Sequence, residues 1–280
     1  MSSLLSMKNI NELFNKHNVT FKKSLGQNFL IDKNALDRIL IAADLKKDDI
    51  CLEVGPGIGT LTKELAKKVK EVHAVEIDSR LIPILEETLS DHNNANIVNE
   101  DILNLDLSFL CDKELKVIAN LPYYITTPII YLLINSSLTI SRMVFLVQKE
   151  VAQRFIAKKG SKHYGTTSIT LQASAKVEYG FTVKSACFMP RPNVDSAVII
   201  VKPIKNLDHN PIILERIVKK AFLQRRKKIT NALSAPGDLA FSKDKWVGIL
   251  DNCDISENMR PDNISIEKYI RLAKEVEMFS

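Results

Sequence analysis

Asn120-Leu121-Pro122-Tyr123 follows the apolar run Lys116 to Ala119, and its side chains suit the gripping of an exocyclic amine. An amide oxygen and a neighbouring backbone carbonyl can accept both hydrogens of an NH2 group, while a proline stiffens the turn and removes a competing donor. Tyr123 or Tyr124 can stack on the face of a base. A base amine is a poor nucleophile because its lone pair is delocalised into the ring. Accepting its two hydrogens turns the lone pair outward, toward an incoming methyl group, so the catalysis is mainly positioning. Taken alone, four such residues read more readily as an ordinary strand-end turn, and only their surroundings favour the chemistry.

Those surroundings begin at Asp49 to Val54, a short apolar strand pattern that runs into Gly55-Pro56-Gly57-Ile58-Gly59-Thr60 and then the helical pattern Leu61 to Val69. Glycines bring backbone close to a ligand, and the loop ends at exposed helix N–H donors. A second strand pattern, Glu71 to Val75, ends at Glu76, about twenty residues on, where an acid meets ribose hydroxyls in doubly wound sheets. Thr60 stands where a dinucleotide fingerprint needs its third glycine, which argues against a pyrophosphate-binding oxidoreductase. Asp101, just beyond Ala95 to Val98, is a second strand-end acid able to accept from an adenine amine.

With these motifs in place, the chain resembles the small-subunit ribosomal RNA adenine N6,N6-dimethyltransferase family. The resemblance runs nearly end to end. It rests on Lys23-Ser24-Leu25-Gly26-Gln27-Asn28-Phe29-Leu30, Glu53-Val54-Gly55-Pro56-Gly57, Asn120-Leu121-Pro122-Tyr123 and Gln148-Lys149-Glu150-Val151-Ala152. Further along it rests on Phe188 to Ser196, Phe222 to Lys227 and Arg260 to Ser265. The resemblance implies an enzyme that uses S-adenosylmethionine to dimethylate two adjacent adenines near the 3′ end of 16S rRNA, within the small ribosomal subunit or its precursor. It implies that Asn28 and Leu30 contact the methionine part of the cofactor, that Gly55 and Gly57 lie against it, that Glu76 holds the ribose and that Asp101 holds the adenine amine. Asn120 would face both cofactor and target, with Leu121 and Pro122 completing the catalytic turn, and Tyr123 and Phe188 would sandwich a flipped adenine. Two rivals stay open: a macrolide-resistance-type 23S rRNA methyltransferase, and a ribosome-assembly factor without catalysis. The intact set Gly55, Glu76, Asp101, Asn120 and Tyr123 argues against the second.

The elements that must position these residues alternate strand and helix from about Asn34 to Val147, as a doubly wound Rossmann-like α/β methyltransferase sheet requires. Lys176 to Val183 and Ser196 to Val201 read as an antiparallel pair finishing that sheet, with Phe188 to Pro192 an extended wall between them. Polar Lys202 to Pro211 suggests a boundary, giving a methyltransferase domain over 1–205 and a small all-helical RNA-docking domain over 206–280. Its helices are expected at Ile212 to Gln224, Lys227 to Leu233, Lys245 to Asn252 and Ile266 to Val276.

The 280 residues carry a net charge of +6, which favours a polyanionic partner. Arg216, Lys219, Lys220, Arg225, Arg226, Lys227 and Lys228 occur with no acid among them, and Ile217, Val218, Ala221 and Phe222 fit a buried face that leaves these cations outward, toward RNA phosphates. Lys22, Lys23, Arg154, Lys158, Lys159 and Lys162 are secondary candidates. Four dispersed cysteines (Cys51, Cys111, Cys187, Cys253) and five dispersed histidines show no metal-ligand spacing, so no metal and no disulfide framework is expected. No apolar run has the length of a membrane span and the N-terminus lacks a signal-peptide pattern, so a cytoplasmic monomer is expected, with Met1 or Met7 as its start.

Overall fold

The computed structural model describes residues 4–22 and 25–279. Lys23 and Ser24, which open the N-terminal signature, lie outside the described residues. The chain forms two compact units, Met1–Ala152 with Glu178–Lys202, and Gln153–Val177 with Pro203–Ser280.

The first unit is built on strands β1 (Phe29–Leu30), β2 (Ile50–Val54), β3 (Glu71–Glu76), β4 (Ala95–Asn99), β5 (Glu114–Asn120) and β6 (Thr139–Gln148). Strands β7 (Ala175–Val183), β8 (Phe188–Met189) and β9 (Ser196–Pro203) follow, and β7 enters this unit at Glu178. Seven of them make one sheet in the order β4-β3-β2-β5-β6-β9-β7, and β1 pairs with β8. Strands β2 to β6 run parallel, and β9 runs antiparallel to β6. The central strands are buried almost throughout, because helices cover both faces of a parallel sheet; that is why they read as unbroken apolar runs rather than alternating ones.

The strand order fixes the site. The chain moves outward from β2 through β3 to β4, then returns to β5 on the other side of β2. The carboxyl ends of β2 and β5 therefore diverge at a topological switch point, where open α/β sheets bind ligands. The glycine loop leaves β2 there, and Asn120 is the last residue of β5. The expected pair at the end of the sheet is present as neighbouring β7 and β9, while the β1–β8 ladder carries no alternation long enough to be legible in sequence.

The second unit is helical. Its principal helices span Thr166–Ser174, Pro211–Leu223, Ile229–Leu233, Lys243–Asn252 and Ile266–Glu277. Three start on side-chain caps: Asn210 Oδ1 accepts from the Ile212 and Ile213 N–H groups, Ser242 Oγ from Lys245 and Ser265 Oγ from Lys268. The 205/206 boundary needs correction. The break falls after Lys202, and 153–177 belongs with the helical unit. Ala157, Tyr164, Ile169 and Ala173 join the cluster of Ile217, Val218, Trp246 and Leu272, and Tyr164 Oη donates to the Ile264 carbonyl at 2.9 Å. A segment inserted between two strands of the same sheet carries no compositional break, so its allegiance is set by packing alone.

Candidate active site

A cavity of about 190 Å³ opens at the switch point. Asn28, Leu30, Gly55, Gly57, Glu76, Asp101, Asn120, Leu121, Pro122 and Tyr123 all line it. Residues distant in sequence thus meet where the topology requires.

The glycine loop is held by its own backbone. Gly55 N–H donates to the Val75 carbonyl at 2.9 Å, and Gly57 N–H donates to Glu76 Oε2 at 3.0 Å. Gly57 has a φ of +62°, and a Cβ there would lie 2.7 Å from the Phe29 ring. Glu76 also accepts from the Asp78 N–H at 2.8 Å. Burial holds its carboxyl above the usual range, partly offset by the Asp78 and Gly57 N–H donors. Asp101 lies at the rim, where its Oδ1 caps the Leu103 N–H at 3.0 Å.

Asn120 meets the backbone carbonyl of Asn28 at 2.8 Å through its Nδ2, and the Asn28 amide in turn donates to the Gly26 carbonyl. Leu121 is buried and bonds through its N–H to Leu146 on β6. The Pro122 carbonyl accepts from both the Ile125 N–H and Thr126 Oγ1, which uses its two lone pairs and leaves the Leu121 carbonyl as the better second acceptor for an amine. Tyr123 Oη bonds Ser196 Oγ at 2.6 Å, and burial raises its phenol above the usual value. Tyr124 turns outward; it is 56% exposed and packs beside Gly26 at the cavity mouth.

Phe188 is placed differently from expectation. It is 3% exposed and lies in the core cluster with Leu30, Val183 and Val198, and it does not line the cavity. The β1–β8 ladder explains this: Leu30 opposes Phe188 and Phe29 opposes Met189, so alternation sends the first pair into one cluster and the second toward the glycine loop.

Glu53 was not foreseen as a site residue, although an acid inside the apolar run of β2 is a signal in itself. It lines the cavity, is 1% exposed, and its Oε2 has no hydrogen-bond partner among the described residues. Burial pushes its carboxyl up to about 8, with the Thr62 hydroxyl opposing and the charge of Glu76 adding to the rise. Between pH 4.5 and about 8 the folded chain keeps a proton that the unfolded chain has released, so this group's contribution to stability falls as pH rises through that window. Glu53→Gln should remove that loss and raise stability at pH 8 by about 1–3 kcal/mol relative to the parent, with little gain at pH 4.5. Thermal melts of both proteins across the window check it, and parallel pH profiles would reject the assignment.

The basic run needs a second correction. Lys220 is buried and donates to the Asp238 and Leu239 carbonyls. Arg216 pairs with Asp238, Lys219 with Glu215 and Arg225 with Asp262, and Lys228 donates to Asn258 Oδ1. Asp238 and Asp262, distant in sequence, and Glu215 on the same helix neutralise much of the local charge, and the requirement for a packed helix face draws Lys220 inward. Arg226 and Lys227 remain exposed.

These features match a described family. Residues 18–277 match the model for ribosomal RNA adenine dimethylase. The chain belongs to this family. It is 44% identical over 277 residues to "Ribosomal RNA small subunit methyltransferase A" of Clostridioides difficile, covering 96% of this chain and 95% of the relative. Among solved structures it resembles a dimethyladenosine transferase from Plasmodium falciparum with a TM-score of 0.79 and 25% identity, covering 89% of this chain and 98% of that one. The 23S rRNA methyltransferase ErmE gives a TM-score of 0.70 at 25% identity, with coverage of 89% and 99%.

Proposed function

We propose that this chain transfers methyl groups from S-adenosylmethionine to the N6 amines of two adjacent adenines near the 3′ end of 16S rRNA, acting as a cytoplasmic monomer on the small subunit or its precursor. The observation that carries the reading is Asn120 at the switch point, its amide nitrogen committed to the Asn28 carbonyl so that its oxygen is left as an acceptor beside the glycine loop.

The residues present fit the cofactor. The cradle around Gly57 leaves no room for a Cβ, Glu76 stands at the end of β3, and the cavity joins both to Asn120. Asn28, Leu30, Gly55, Gly57, Glu76 and Asp101 would hold it, and when bound it supplies an electrophilic methyl group on a sulfonium. Asn120 Oδ1 and the Leu121 carbonyl accept the two hydrogens of the target amine and aim its lone pair. Tyr123, tied to Ser196, offers a fixed ring face to the base. After each transfer the amine releases one proton to water, so a singly methylated amine keeps one hydrogen and its lone pair, and one of the same acceptors can hold it for a second transfer. Phe188 would contribute a second ring face only after leaving its buried position.

On the second unit, exposed Arg226 and Lys227 are the better phosphate contacts. Lys227→Ala should weaken RNA binding and reduce the slope of log affinity against log salt by about 1. Lys220→Met should leave that slope unchanged and destabilise the fold by about 1–3 kcal/mol, because two carbonyls lose their donor. Salt titrations and denaturation of both variants separate the two roles.

The proposal is tested by supplying labelled S-adenosylmethionine to small subunits lacking adenine dimethylation, beside unmethylated large subunits, followed by nucleoside analysis. Dimethyladenosine on the small subunit alone is expected. Label on the large subunit alone would favour the 23S type of activity, and label on neither would favour a binding role.

A further inference from the structure

The catalytic amide is held from outside its own strand. Asn120 Nδ2 meets the Asn28 carbonyl at 2.8 Å. A carbonyl can only accept, so the end of the Asn120 amide facing it must be the NH2, and the oxygen must point the other way. The segment that supplies this carbonyl, Leu25 to Asn28, is anchored in turn. Gln27 Nε2 donates to Asp78 Oδ2 at 2.7 Å, and Gln27 Oε1 accepts the Lys22 N–H at 2.8 Å. Asp78 is 5% exposed, is clasped by Arg80 through Nε and Nη2 at 2.8 and 2.6 Å, and donates its own N–H to Glu76 Oε1. A continuous path therefore runs from Glu76 through Asp78 and Gln27 to the Asn28 carbonyl and Asn120.

We infer that the Leu25 to Asn28 segment is a strap that fixes the Asn120 amide with its oxygen toward the target, and that Gln27 and Asp78 are positioning residues for methyl transfer through it. The inference rests on the proposed role of Asn120. Its chemical consequence is selectivity. With the amide locked in this sense, a base presenting an amine finds an acceptor, whereas a base presenting a carbonyl at the same place meets oxygen against oxygen. Released from the strap, the amide can rotate and offer its NH2, and half of its orientations then point the wrong group at the amine.

The test uses the full chain with three variants: Gln27→Ala, Asp78→Ala and the double variant. Each is assayed for single-turnover methyl transfer to undermethylated small subunits and for cofactor affinity by calorimetry. The Asn120 side-chain amide is followed by NMR in protein carrying 15N-labelled asparagine. Gln27→Ala should slow transfer about tenfold or more while changing cofactor affinity less than about threefold, the split expected when orientation rather than binding is lost. The two Asn120 amide proton signals, separated when one proton is bonded to a carbonyl, should move toward each other. The double variant should be no slower than the slower single variant, because both act through one contact. An unchanged Asn120 signal with unchanged rate in Gln27→Ala, or losses that multiply in the double variant, would overturn the strap. Should Asp78→Ala fail to fold, Gln27→Ala and Gln27→Leu decide the matter alone. If the parent chain transfers no methyl group, the proposed function fails, while the NMR signal still decides whether the strap orients Asn120.

Discussion

Asn120→Ala should slow methyl transfer by about 100- to 1000-fold while leaving the fold and RNA binding intact. The side chain is half-buried at the open end of β5 and bonds the Asn28 carbonyl, so its removal takes nothing from the sheet ladder. What disappears is the acceptor that holds the amine's lone pair in line. The loss should fall on the chemical step, so single-turnover rates at saturating cofactor and RNA are the measurement. Asn120→Asp, which keeps an acceptor but loses the NH2 that meets Asn28, should be impaired for a different reason: a carboxylate oxygen would face the Asn28 carbonyl. Transfer by Asn120→Ala at the parental rate would remove the core of the proposed mechanism.

Gly57→Ala should cost both stability and cofactor binding. A φ of +62° disfavours any side chain by about 1–2 kcal/mol. Here the added methyl would also lie 2.7 Å from the Phe29 ring, which cannot easily retreat. Phe29 packs edge-on to Phe14 at 5.7 Å and tilted against Phe21 at 5.8 Å, in a cluster with Ile58, Leu81 and Ile84. Either the loop shifts, breaking the Gly57 N–H contact with Glu76, or the aromatic cluster opens. Cofactor affinity should fall about 100-fold or more, since the loop and the ribose acid move together. Calorimetric titration with S-adenosylmethionine, beside a thermal melt, measures both losses; an unaltered affinity would show that the loop does not touch the ligand.

The site and the fold were legible to different depths. Gly55, Gly57, Glu76, Asp101 and Asn120 could be read because each stands at the end of an apolar run, and a doubly wound sheet converts strand ends into neighbours at the switch point. The helices after Pro211 were legible from their period. The strap was not. Gln27 and Asp78 are 51 residues apart, and nothing local to either marks them as partners. Glu53 could have been found, since an acid within a buried strand must be neutralised or employed.

The chain by itself determined the alternation of strand and helix through the main sheet, the loop between β2 and its following helix, and the identity of the groups available for chemistry. Local periodicity and turn chemistry suffice for these, because they depend on neighbours within a few residues. Only the tertiary structure decided that Phe188 turns into the core, that Lys220 is buried beneath Asp238, and that residues 153–177 belong to the helical unit. Each depends on which distant surface covers a residue. The orientation of the Asn120 amide has the same origin: its partner is a backbone carbonyl 92 residues away, and no side-chain identity in the sequence records where that carbonyl points.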